Sequence, residues 1–333
     1  MFKINSKSPL GVHLCIFGFI FWINAIFLAF VPSSLAQGHL RPGYVVPKQH
    51  GFELGRAGDN FKYTYRWTDS YGRPTTSVFL LHSNDVEKGN TEFRRIDASA
   101  DAKIVKELQK RADELGKKFN AQVKVTDNDG LYSLKVEGRG LTQRSFEHLY
   151  AEVQRSQKEV IDDYLTSAYY SVENKGDRYL IRPDYKTLVK RYEPVGRIVG
   201  KTLFKSSPGD VRGFVEHSLE FIQAIPYGRD MNDGADFQTP IGLFTDNMGD
   251  CDTKAVALGS ILKNYGIGFV FLITSDHLFM GIEVSKRQTD RTFKYGGKSY
   301  VLAEPAGEGF PLGTAYPDSL DAFKDGKLQV VSF

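Results

Sequence analysis

The segment Gly249–Gly266, "GDCDTKAVALGSILKNYG", constrains the fold more than any other stretch of the chain. Ala255, Val256, Leu258, Ile261, Leu262 and Tyr265 recur at helical spacing and make most of its surface apolar, and Gly266 supplies a stop. Such a helix is stable only inside a core, so the neighbouring segments must cover it. At its start stands Cys251, between Asp250 and Asp252; the chain's other cysteine is Cys15. A thiol at a helix N-terminus meets unpaired amides and the positive end of the macrodipole, which favour a thiolate and hence a nucleophile. The alternative is an inert cysteine acting as a small hydrophobe. The flanking aspartates argue against an apolar pocket, although they oppose the thiolate if they point at it.

Residues 1–36 read as a leader and not as part of the fold. Lys3 and Lys7 precede an uncharged apolar run from Leu10 to Val31, and "PSSLAQ" then sets Ser34 and Ala36 where a signal peptidase requires small side chains. The run is also long enough to span a bilayer, so membrane attachment through residues 10–31 is the alternative to cleavage. On either reading the rest of the chain faces the exported side, periplasmic or secreted. Of the 43 basic and 40 acidic residues only Lys3 and Lys7 lie in the leader, so the remainder of the chain is close to neutral, which argues against a nucleic-acid partner. Loss of Cys15 with the leader leaves Cys251 without an internal disulfide partner. In an oxidising compartment such a thiol has to be buried or useful.

At 333 residues the chain has room for two domains. Residues 37–205 read as an α+β accessory domain. It starts with a hairpin between Phe61 and Leu81 around "DSYGRP", followed by an amphipathic helix with Ile104, Leu108, Ala112, Leu115 and Phe119 on one stripe. A second hairpin turns at "TDNDG", and a long helix bearing Phe146, Leu149, Val153 and Val160 is expected to run to Gly176. His82 and His148 stand alone and read as surface or core-rim residues. A further helix covers "KTLVKRYEPVGRIVGKTL". Residues 206–333 then form the second domain, with a helix expected to start at Ser207 as cap and Pro208 as its first residue, and to end at Pro226.

A base for the thiol is offered by "GFVFLITSDHLFMGIEV", which reads as two strands with His277 opening the second. Alternation puts His277, Phe279, Gly281 and Glu283 on one face. After the turn "KYGGKS", the strand "YVLAEP" places Glu304 on a face with Tyr300 and Leu302, and a carboxylate on an apolar strand requires a partner. If that partner is His277, Glu304 orients the imidazole and His277 deprotonates Cys251. A zinc site would need more Cys or His ligands at short spacing. Asp246, Asp250 and Asp252 offer oxygen ligands suited to calcium, but no recognisable binding-loop pattern, and read first as a solvated acidic loop.

The segments "GDCDTKAVALGSILKNYGI", "DHLFMGIEV" and "YVLAEP", in that order, resemble the transglutaminase-like cysteine peptidase superfamily, in particular its exported bacterial members. The likeness covers roughly Gly209 to Gly313. It implies an α+β, papain-like core in which a cysteine helix packs on an antiparallel sheet, with Cys251 as nucleophile, His277 as general base and then acid, and Glu304 as orienting acid where many members carry Asp. Gln223, on the preceding helix, resembles an oxyanion-binding residue, and the amide of Cys251 is the other donor. The implied activity is hydrolysis of peptide or protein amides through a thioester. Acyl transfer to an amine, which would cross-link proteins, and a non-catalytic adaptor on the same fold are the alternatives. Cleavage of the leader puts Gln37 at the mature N-terminus, and sequencing of the exported protein should find it there; recovery of Met1 in a membrane pellet would show an anchor instead.

Overall fold

The computed structural model describes residues 43–93, 98–128, 131–138, 141–174, 179–207, 209–228 and 237–333; the expected leader and the Gln37 start lie outside them. The protein is mixed α+β with antiparallel sheets. Among the described residues no helix is long and apolar enough to cross a membrane.

The chain divides into two compact units, drawn otherwise than the boundary at residue 205 expected from sequence. Its N-terminal strands belong with the cysteine helix. Strands β1 (Lys48–Ala57), β2 (Asn60–Thr68) and β3 (Pro74–His82) form an antiparallel meander, followed by the helix α1 (Ser83–Glu92). Alternation along β2 buries Tyr63, Tyr65 and Trp67 on one face, and β3 adds Phe79 and Leu81. The face is covered by aromatic partners far along the chain: Phe221 stands edge-on to Tyr65 at 5.1 Å, and Phe244 edge-on to Phe79 at 5.4 Å. The Tyr65 hydroxyl donates to the Phe244 carbonyl at 2.8 Å. These contacts, invisible to a reading of local pattern, join the meander to the second half of the chain.

The other unit holds α2 (Ala98–Lys118), the hairpin β4 (Ala121–Asn128) and β5 (Leu131–Gly138), α3 (Gln143–Ser167) and the hairpin β6 (Tyr170–Asn174) and β7 (Tyr179–Pro183). Ile104, Leu108 and Ala112 of the expected α2 stripe are buried. Gln109 ties the helix to the hairpin, donating to the Val123 carbonyl and accepting from the Val125 N–H, both at 2.8 Å. Helix α3 stops at Ser167, not at Gly176: Tyr169 takes a left-handed φ of 63°, and the β-forming residues after it pair with β7.

The unit of the cysteine continues with α4 (Tyr185–Ser206), α5 (Val211–Ala224), α6 (Pro240–Asp246) and α7 (Cys251–Lys263). The cap of α5 is Asp210, whose Oδ1 accepts from the Gly213 N–H at 2.6 Å, and Ser207 instead closes α4. Pro208 lies outside the described residues. Strands β8 (Phe269–Ile273), β9 (Leu278–Ile282), β10 (Thr292–Tyr295) and β11 (Lys298–Ala303), then α8 (Pro317–Lys324) and β12 (Gln329–Ser332), complete the chain. They form an antiparallel five-stranded sheet in the order β10-β11-β9-β8-β12. Helix α7 lies between this sheet and α4, with Gly259 against Phe269 and Phe271. On its other side α4 approaches so closely that a Cβ at Gly196 would stand 2.2 Å from the Ser260 carbonyl oxygen. Gly196→Ala must therefore push the two helices apart, and should lower stability by about 1–3 kcal/mol in chemical denaturation; an unchanged midpoint would mean that the crossing is looser than described.

Candidate active site

Helix α7 begins at the cysteine because the residue before it caps the helix. Asp250, 2% exposed, accepts from the Thr253 N–H through Oδ1 at 3.1 Å, and Asp252 Oδ1 shares the same donor at 3.0 Å. Ahead of the cap, Gly249 bridges to Tyr227, and a Cβ there would come within 2.5 Å of Leu243 Cδ1, so a larger residue would require that side chain to move. Cys251 is the first residue of α7 and is 5% exposed.

His277 immediately precedes β9, and Glu304 immediately follows β11. Because the strands are antiparallel neighbours with Ala303 opposite Met280, both residues fall at the same end of the sheet. One further step of that ladder sets Glu304 opposite Phe279, on the face that His277 shares. The side chains meet accordingly, with His277 Nε2 2.9 Å from Glu304 Oε2. The imidazole also hydrogen-bonds Cys251. With Nε2 turned to the carboxylate, Nδ1 is the ring nitrogen left available for the thiol. Tyr316 stands edge-on to the imidazole at 5.5 Å, and Phe279 lies nearly parallel to it at 6.1 Å.

The electrostatics follow from burial. Glu304 is fully buried. Burial opposes the charged imidazole, but the Glu304 carboxylate and the hydrogen bonds to Cys251 and Glu304 outweigh it and raise His277 to about 11. The acid at the other end of the same face, Glu283, lies beyond β9 and pairs with Lys298 at 2.8 Å, away from His277.

Gln223 is held differently from the expected oxyanion donor. Its Nε2 donates to the main-chain carbonyls of Glu304 at 2.9 Å and Phe310 at 2.7 Å, which occupies both amide hydrogens. Two carbonyls fix the amide's orientation, since the flipped amide would set oxygen against oxygen. Gln223 therefore braces the segment after β11. The three aspartates of the acidic loop differ: Asp246 is exposed as expected, whereas Asp250 is buried and Asp252 half-buried. Burial, and then the charge of Asp252, push the Asp250 carboxyl well above the usual range, while Asp252 Oδ2 accepts from the Tyr185 hydroxyl at 3.2 Å. Asp246 Oδ2 accepts from Gln238 at 3.2 Å. Among the described residues no three His, Cys, Asp or Glu side chains are grouped to hold a metal ion, calcium included.

Three neighbours of the cysteine carry no role in the sequence pattern. Tyr185 and Tyr316 both have phenols raised first by burial, and both sense the charge of Cys251. Lys254 is fully buried one turn along α7. Its signal is present in the sequence, since a lysine four residues before Leu258 and seven before Ile261 occupies a core position of the helix. No protein-family model, curated protein or solved structure matches the chain.

The His277–Glu304 pair makes stability depend on pH in a defined direction. A histidine raised in the folded state stabilises it fully below the unfolded value of about 6.5. That contribution disappears as the pH rises through about 11. Glu304→Gln should lower the His277 midpoint followed by NMR of the imidazole protons, and the stability gap to the native protein should be widest below pH ~6.5. An unmoved midpoint would refute the pairing.

Proposed function

We propose that this protein is a thiol hydrolase that cleaves amide bonds in peptides or proteins through a Cys251 thioester. The observation that carries the proposal is the placement of one imidazole between a thiol at a helix start and a fully buried carboxylate. Mixed α+β architecture, with the cysteine helix against an antiparallel sheet, is compatible with a papain-like or transglutaminase-like core, and the sequence resemblance supports it.

In this reading the thiol proton already resides on His277 at neutral pH, and that imidazolium is stabilised through Nε2 by Glu304. The sulfur attacks the amide carbon. The N–H of Cys251, at the positive end of α7, takes the oxyanion donor role that Gln223 is held away from. Imidazolium returns its proton to the leaving amine. Water, deprotonated by the same imidazole, then cleaves the thioester and regenerates the thiol. An exported site of action is part of the proposal and rests on the leader.

New protein termini in the exported fraction should separate cells making the native protein from cells making Cys251→Ala. Kinetics on the cleaved peptides should then order the variants: Cys251→Ala at background, His277→Ala nearly as low, and Glu304→Gln with about tenfold or more residual rate over the cysteine variant. Products that appear as amine conjugates would make the protein an acyl transferase. Folded Cys251→Ala with undiminished turnover would leave a binding protein.

A further inference from the structure

The buried lysine of α7 has no part in the mechanism above. Lys254 is 0% exposed, and its Nζ donates to the carbonyl of Ile225, the C-cap of α5, at 2.5 Å. A helix C-terminus favours a cation there. On α7 it stands three residues after Cys251, so the two side chains share a face, and its own N–H donates to the Asp250 carbonyl at 3.1 Å. The charges around the ammonium come from several elements: Glu308 and Glu304 from the segment after β11, and Asp250 from the cap of α7.

A full charge inside a core is expensive, and a buried ion pair can often be replaced by apolar side chains of similar volume without loss of stability. Docking α7 on the end of α5 therefore does not by itself call for lysine. An ammonium one turn along α7 from a thiol, with Glu308 and Glu304 acting on it, offsets the negative potential that would otherwise oppose a thiolate at Cys251.

We propose that Lys254 is a positioning residue of the Cys251–His277–Glu304 site, its buried ammonium stabilising the anionic sulfur from beneath the first turn of α7. The proposal rests on the reading of Cys251 as the nucleophile. Its pH range is set by the surroundings of the ammonium. Burial lowers Lys254 to about 8 against the opposing pull of Glu308, Asp250 and Glu304, so the ammonium persists at neutral pH and is lost in mild alkali. The groups facing His277 are Glu304, Cys251 and the Tyr316 ring.

The test is the rate of Cys251 alkylation by iodoacetamide against pH, measured on the whole protein. Lys254→Met should react about tenfold more slowly than the native protein at pH ~7, and the deficit should close above pH ~8, where the native lysine is also neutral. Lys254→Arg, charged throughout, should stay fast on both sides of that point. A folded Lys254→Met with the native profile, or with a deficit constant across pH, would overturn the proposal, as would Lys254→Arg as slow as Lys254→Met. If Lys254→Met does not fold, reciprocity decides: Cys251→Ser removes the thiolate and should lower the lysine's own midpoint, followed by ¹³C NMR of the lysine ε-carbon. An unmoved midpoint overturns the proposal by that route. Alkylation indifferent to His277→Ala would sink the triad while leaving the lysine comparison readable.

Discussion

Everything near the cysteine depends on the enclosure of α7. From Thr253 to Leu262 every residue of the helix is buried, so no face is left to water and each must be matched by another element. Helix α4 covers one side at glycine-width separation, and Phe269 and Phe271 of the sheet cover another. Because the sheet is locked to the helix in this way, the end of β11 and the start of β9 are delivered to the first turn of α7. The geometry of the site is thus a by-product of hydrophobic packing: the core fixes a helix terminus beside a sheet end, and the polar groups occupy the corner.

That corner sorts its charges by environment. Three groups within it are moved by the same force, withdrawal from water, with different outcomes. Asp250 is driven toward its neutral form and Lys254 likewise, yet His277 is pulled toward its charged form because Glu304 stands 2.9 Å away. Desolvation acts on every buried group, whereas a hydrogen-bonded counter-charge acts on one. The local balance between the two decides which proton is available for transfer.

Periodicity makes several of these features legible in the sequence. The alternation of "HLFMGIEV" and "YVLAEP" puts His277 and Glu304 on matching faces, and the apolar repeat after Cys251 marks α7; both are short-range signals and both appear in the structure. The termini of α3 and α5 depart from expectation where two local signals compete. A Ser-Pro pair suggests a cap, while Asp210 three residues later makes a better one; a glycine suggests a stop, while Tyr169 and the β-formers after it end the helix sooner. Long-range placement is out of reach. Nothing local to "FKYTYRW" says that Tyr65 will meet Phe221 and the Phe244 carbonyl, and nothing local to Gln223 says that two carbonyls will claim its amide.

The ladder between β9 and β11 has a consequence for how such a chain tolerates change. His277 and Glu304 share a face because an even number of residues separates each from a paired position, and faces alternate with period two. A single residue inserted within either strand inverts one side chain and separates the pair, whatever the residue's chemistry. An insertion at the Gly296–Gly297 turn joining β10 to β11 lies at the opposite end of β11 from Glu304 and leaves the parity untouched. The site is therefore guarded by arithmetic as much as by composition: loops may lengthen freely, while the strands must keep their count.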